Sequence, residues 1–263
     1  MSDQKLDMAT IVPELTSRTF LPDDTVGVFA SGSMVRGWGN ATSDVDVHVI
    51  TEAPRVSSIS ETGHVSLEPN TLQYERTFVN GRRWDIEYWT EGQVDQLLGK
   101  VTWEAYDSPD SPWSTLSKTE LGMLERLPYA AAADDGPWLA SVQQRMRESA
   151  HRVILVGISL RESDGLVEDA AGQLEAGDLH SAVIAARLAF NHTVDALQAN
   201  EGQFGSLWPK WRARRMALIN SEVLPFETYW VTETMAAFDD ENPQTWVEET
   251  IGLCRKISSE LEV

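Results

Sequence analysis

Asp44 and Asp46 lie one residue apart in the run Ser43-Asp44-Val45-Asp46-Val47-His48-Val49-Ile50. In an extended strand residues i and i+2 share a face, so both carboxylates project together while Val45, Val47 and Val49 turn to the core. Two adjacent anions repel unless a cation holds them. An oxygen-only set suits Mg²⁺, which usually keeps substrate phosphates in its shell. Upstream, Gly32-Ser33 follows the apolar run Val26-Gly27-Val28-Phe29-Ala30. Glycine there lets the backbone approach a ligand closely, and Ser33 offers a hydroxyl and an amide where a strand turns into a helix, a place suited to phosphate.

A metal-assisted phosphoryl site calls for a third carboxylate. Residues 82–89 offer two at same-face spacing, Asp85 and Glu87. Asp85 lies between Trp84 and Ile86, and Glu87 one pleat further; either could be the ligand, Glu87 could act as general base, and one of the two would simply meet water. His48 shares the Asp44/Asp46 face, but Mg²⁺ prefers oxygen, so a packing or hydrogen-bonding role at the strand's far end is expected. Ser43 suits a phosphate contact and an ordinary strand position about equally.

These side chains need strands to aim them. Residues 25–30 and 44–51 read as strands, with a helical turn over 34–38 between them and a short helix over 9–18 before them. Residues 72–79 alternate and run into Asn80-Gly81, the strongest short hairpin signal, so 82–89 is the return strand. Residues 102–115, with Pro109 and Pro112, break the pattern and mark the expected boundary. Beyond them the chain reads as an antiparallel helical bundle. Asp178 should cap a long helix over 179–198, whose apolar residues recur at helical spacing. Further helices are expected over 138–160, 210–220, 228–237 and 244–261.

Gly-Ser, a spacer over residues 34–43, and Asp-x-Asp in a valine-rich strand together resemble the signature of the DNA polymerase β-type nucleotidyltransferase superfamily. Within it, Gly32-Ser33-Met34-Val35-Arg36-Gly37 followed by Ser43-Asp44-Val45-Asp46 looks most like the minimal branch that includes the kanamycin and streptomycin nucleotidyltransferases. The resemblance implies an α+β fold: a nucleotidyltransferase domain with a small mixed sheet over 1–108 and a helical bundle over 109–263. It implies transfer of a nucleoside monophosphate, AMP from ATP in the first instance, onto a hydroxyl, as in antibiotic modification. Asp44 and Asp46 would bridge two Mg²⁺ ions and Asp85 would complete the second site. Gly32 and Ser33 would hold phosphates, Arg36 would steady the loop, and Arg187 and Lys210 would be the nearest counterparts of cations that close over the triphosphate. For those two, a solvated basic surface is an equally good reading of the densest cationic run, Lys210-Trp211-Arg212-Ala213-Arg214-Arg215. Trp38, beside the Gly-Ser loop, is the tryptophan best placed to stack on a base or sugar.

Composition narrows the partners. The formal net charge of −20 over 263 residues repels polyanions, which disfavours nucleic acid and favours a small, cationic acceptor. No apolar run reaches membrane-spanning length, and the start of the chain lacks a signal-peptide pattern, so a cytoplasmic protein without a membrane role is expected. The single cysteine, Cys254, gives neither an internal disulfide nor a metal cluster. A nucleotidyltransferase acting on a protein or tRNA, and a nucleotide-binding module without turnover, are the alternatives. The intact acid trio argues against the second.

Overall fold

A computed structural model describes residues 6–57 and 60–261. The fold is α+β, with a six-stranded mixed sheet and a helical C-terminal region. It comprises two compact units, Met1–His151 and Arg152–Val263. The helices between Trp103 and Arg147 therefore fall within the first unit.

The sheet contains β1 (Thr25–Ser31), β2 (Val45–Thr51), β3 (Glu61–His64), β4 (Thr71–Val79), β5 (Arg82–Thr90) and β6 (Ala131–Ala132), in the spatial order β3-β4-β5-β2-β1-β6. The β4–β5 hairpin closes on Val79 opposite Arg82, with Asn80 and Gly81 at φ 51° and 79°. Both central residues of this two-residue turn need the left-handed region, which Asn-Gly supplies. β2 pairs β1 antiparallel and β5 parallel, so the Asp-x-Asp strand is central. Its valines are fully buried on one face with Val28, Ala30, Trp84, Ile86 and Tyr88. Ile11 and Leu15 of α1 (Ile11–Ser17) complete that core.

Between β1 and β2 the chain makes one helical turn, α2 (Gly32–Val35). After β5 come α3 (Glu91–Gly99), α4 (Trp103–Asp107), α5 (Lys118–Arg126) and α6 (Trp138–Arg147). Capping boxes start α3, at Thr90 and Gln93, and α5, at Ser117 and Glu120. Each satisfies two otherwise orphaned backbone donors.

The second unit holds most of α7 (His151–Glu175), then α8 (Leu179–Asn200), α9 (Arg212–Met216), α10 (Phe226–Glu233) and α11 (Pro243–Ser259). The tight connection at Gly177, φ 80°, and the Ser163–Thr193 hydroxyl pair at 2.6 Å make α7 and α8 an antiparallel hairpin. Asp178 caps α8 as expected, accepting from Ser181 N at 3.1 Å. The single helix expected over 138–160 is two, because the chain bends at Glu148-Ser149-Ala150 and Ala150 N donates to Val101 O. Only Arg212–Met216 of the helix expected over 210–220 is α-helical, preceded by a 3₁₀ turn at Pro209–Trp211. Among the described residues no helix is long and apolar enough to cross a membrane.

Candidate active site

The sheet places the acids in two rungs on the face opposite the valines. Ser31, Asp46, Asp85 and Arg76 are successive partners across β1, β2, β5 and β4. Phe29, His48, Glu87 and Tyr74 form the neighbouring rung. Asp44 lies just before β2 and shares the Asp46 face. Asp44, Asp46, Asp85 and Glu87 thus meet on one surface, brought together by the parallel β2–β5 pairing, which no local pattern marks.

Gly32 closes down on this surface. Its φ of 76° is unfavourable for any side chain, and a Cβ at this position would lie 2.1 Å from Asp46 Oδ2. The loop backbone therefore approaches the carboxylate as only glycine allows. Ser33 is half-buried and its carbonyl accepts from Trp38 N at 2.8 Å and Gly39 N at 3.0 Å. The Arg36 guanidinium lies 3.8 Å from the ring centres of both Trp38 and Tyr129. Trp38, the ring expected to stack on a base or sugar, thus stacks on Arg36. The Ser43 hydroxyl accepts from Asn40 N at 2.9 Å, closing the turn into β2, and Arg82 donates to the Ser43 carbonyl at 3.3 Å.

Arginine meets every carboxylate. Arg83 bridges Asp44 and Asp85, the latter at 3.0 Å, and Arg76 donates to the other Asp85 oxygen at 3.0 Å. Arg126, at the end of α5, donates to Glu87 at 3.1 Å and to Asp46 at 3.3 Å. Sequence reasoning missed Arg126 altogether; nothing in Leu121–Arg126 marks it, since its partners are brought in by tertiary packing.

Charge remains uneven. Burial, with Asp44, Glu87 and Asp85 nearby, raises Asp46 to about 6 in spite of Arg126. Burial would also raise Glu87, but His48, Arg126 and the hydrogen bonds from Trp89 and Arg126 outweigh it and hold the carboxyl below its ordinary value. His48 is fully buried; burial lowers it to about 4, so its imidazole is neutral at physiological pH. It stacks on Phe29 at 4.6 Å, shares a 2.8 Å hydrogen bond with the Ser31 hydroxyl and sets Nδ1 3.5 Å from Glu87. This is the packing and hydrogen-bonding role expected of it.

Asp44, Asp46 and Asp85 offer oxygen donors only, the type a hard divalent cation takes. Asp46, left under-neutralised, fits such an ion in its chemistry. As the side chains stand, guanidinium groups occupy the acids, and among the described residues no three His, Cys, Asp or Glu side chains are grouped to hold a metal.

Arg187 and Lys210 belong to the second unit, and both are exposed. Arg187 projects from α8, and Lys210 Nζ lies 5.5 Å from the Trp211 ring centre. Arg212 and Arg215 of the same basic run are buried on Asp195 and are structural.

No family model and no curated protein matches the sequence. Among solved structures the chain is similar to a nucleotidyltransferase-like protein from Exiguobacterium sibiricum. The TM-score is 0.52, covering 96% of this chain and 75% of that one, at 12% identity. At that identity the likeness is one of fold: this chain has the fold of a nucleotidyltransferase-like protein.

Proposed function

We propose that the chain is a nucleotidyltransferase that moves a nucleoside monophosphate, AMP from ATP in the first instance, onto a hydroxyl of a small, cationic acceptor. One observation carries the reading: Asp46 and Asp85 are side by side across β2 and β5, and the backbone of Gly32 lies too close to Asp46 to admit any side chain. The acceptor oxygen bonds to the α-phosphorus, the bond from that phosphorus to the bridging oxygen breaks, and pyrophosphate leaves with the electron pair. The hydroxyl proton is lost to solvent. Asp44, Asp46 and Asp85 would hold Mg²⁺, which when bound neutralises the triphosphate and acidifies the acceptor hydroxyl. Gly32 and Ser33 orient the phosphates through the loop backbone and hydroxyl.

Glu87 takes a positioning role in this scheme rather than that of general base. One of its oxygens is engaged by Arg126 and the other by Trp89, and its carboxyl is held in the ionised, weakly basic range. The surface charge of −20 favours a cationic acceptor over RNA or DNA.

The test is pyrophosphate release from each of the four NTPs with Mg²⁺ and a panel of amino-sugar and other cationic alcohols. Turnover with at least one pair is expected. Asp85→Asn should cost at least about 10³-fold in kcat, and Glu87→Gln about 10–10²-fold, below the usual range for losing a general base. Absence of both turnover and nucleotide binding would sink the proposal; the reverse ranking would return Glu87 to the chemistry.

A further inference from the structure

Of the three arginines that neutralise the acidic face, Arg126 and Arg83 differ in how firmly they are held. Arg126 reaches it from α5, is mostly buried, and donates to two acids on β2 and β5. Arg83 lies on β5 itself, is 45% exposed, and bridges Asp44 and Asp85 from the solvent side. Its cross-strand neighbour on β4 is Phe78, 62% exposed, so nothing bulky shuts Arg83 in. Asp85 also keeps a second partner, Arg76, so it does not lose all compensation if Arg83 departs.

A nucleoside triphosphate carries about four negative charges at neutral pH and cannot approach four carboxylates without cations at hand. Exposed guanidinium groups bind phosphate through paired, charge-assisted hydrogen bonds, as they bind carboxylate. Arg83 sits on the carboxylates a divalent cation would need. Like Arg76, which is 57% exposed, it can swing away without breaking a buried contact, but Arg83 is the one that touches both Asp44 and Asp85. Both needs are met by one exchange of partners.

We propose that Arg83 is a nucleotide-phosphate ligand that, in the free protein, occupies Asp44 and Asp85 in place of a divalent cation. The inference rests on the nucleotidyltransferase reading above and adds an order of events. Metal alone competes poorly with the tethered guanidinium. Metal arriving with nucleotide succeeds, because the phosphates offer Arg83 a new partner as the carboxylates take up the ion. Divalent cation and nucleotide binding are therefore strongly and positively coupled through this one side chain.

The test is Mn²⁺ binding by titration calorimetry and by the paramagnetic signal of free Mn²⁺, with and without the non-hydrolysable analogue α,β-methylene-ATP. Wild-type protein is compared with Arg83→Gln and with Arg147→Gln, an equal charge change at an exposed arginine bonded to Gln144. Arg83→Gln should bind Mn²⁺ alone at least about tenfold more tightly than wild type, a 1.4 kcal/mol change. It should bind the analogue with Mn²⁺ at least about tenfold more weakly. Arg147→Gln should change neither by more than about twofold, which separates a local exchange from general charge. If wild type binds Mn²⁺ and analogue together but Arg83→Gln leaves Mn²⁺ affinity within about twofold, the exchange is wrong and the enzyme reading survives. If neither protein binds Mn²⁺ or analogue in any combination, the enzyme reading fails and takes the exchange with it. Thermal unfolding of Arg83→Gln checks that the variant is folded, as expected for an exposed position.

Discussion

The two units use the same residue pair to opposite ends. In the first, four carboxylates share three arginines on a surface open to water, and Asp46 is left partly uncompensated. In the second, one buried carboxylate holds two buried arginines. Arg212 donates to Asp195 twice, at 3.1 and 2.8 Å, and Arg215 once, at 3.1 Å. Further guanidinium donors go to Asn191, Gln198 and the Trp208 carbonyl, with Glu233 3.6 Å from Arg212. Arg212 is held protonated: Asp195 and Glu233 outweigh the effect of burial. An arginine–carboxylate contact is therefore not informative by itself. Surplus acid beside solvent leaves room for an exchange of partners; guanidinium groups held by several partners in a core fix a loop.

The largest effects should separate the two networks by sign. Asp195→Asn strands two buried guanidinium groups and should destabilise the protein by about 3–5 kcal/mol, the usual cost of breaking a buried pair from one side. Asp46→Asn should do the reverse. The folded carboxyl is raised from 3.8 to about 6. It therefore binds its proton more tightly when folded, and its ionised form opposes folding above that range. Removing the charge should stabilise the protein by about 1–3 kcal/mol at pH 7.5, a gain that vanishes below about pH 4, where the aspartate is protonated in both states. The same variant should lose at least about 10³-fold in turnover. Denaturant unfolding of both variants decides the point, and equal signs would erase the contrast.

What the sequence disclosed, and what it withheld, divides along the same line. The hairpin was legible because Asn80-Gly81 is a local signal, and the long helix after Asp178 because its cap and periodicity are local too. The Asp44–Asp46 pair could be placed on one face from strand geometry alone. The arginines could not be assigned, since Arg126 meets Glu87 and Asp46 across 39 and 80 residues of chain. β3 and β6 escaped because such short edge strands show no usable alternation. The basic run at Lys210–Arg215 misled for a related reason. Charged residues read as surface, yet Arg212 and Arg215 are drawn inward by a buried aspartate on another helix. That inward pull fits a helix shorter than periodicity suggested.

Acid should discriminate next, by a smaller amount. His151, at the start of α7, is buried, and burial lowers it to about 4 from 6.5. Between those values the unfolded chain takes up a proton that the folded one refuses, so stability is present above pH 6.5 and is lost as pH falls. His48 behaves alike, whereas Asp46 works in the opposite sense over a similar range. These two titrations on the acidic face largely cancel, leaving His151 to dominate. Wild type should lose about 2 kcal/mol between pH 7 and pH 5 from this residue. His151→Gln should flatten that slope, whatever its stability at neutral pH. An unchanged slope would show that the acid sensitivity lies elsewhere.

The smallest effects concern the two exposed cations of the second unit, where surface and function are hardest to separate. Lys210 and Arg212 are two residues apart, yet one reaches into solvent beside Trp211 and the other into the Asp195 network. Lys210→Ala and Arg187→Ala should each alter stability by no more than about 0.5 kcal/mol, as is usual for surface sites. If they meet the triphosphate, each should still weaken nucleotide affinity by about tenfold, the worth of one charge-assisted contact. The loss should be larger in kcat/KM than in nucleotide affinity, because charge builds on pyrophosphate as it leaves. A role in binding a polyanionic acceptor predicts another pattern: unchanged nucleotide affinity, with acceptor binding that falls steeply as salt is raised. Nucleotide and acceptor affinities at two salt concentrations distinguish these cases. If both variants keep nucleotide affinity within about twofold and turnover intact, the second unit supplies no phosphate contact, and the arginines of the first unit carry that charge alone.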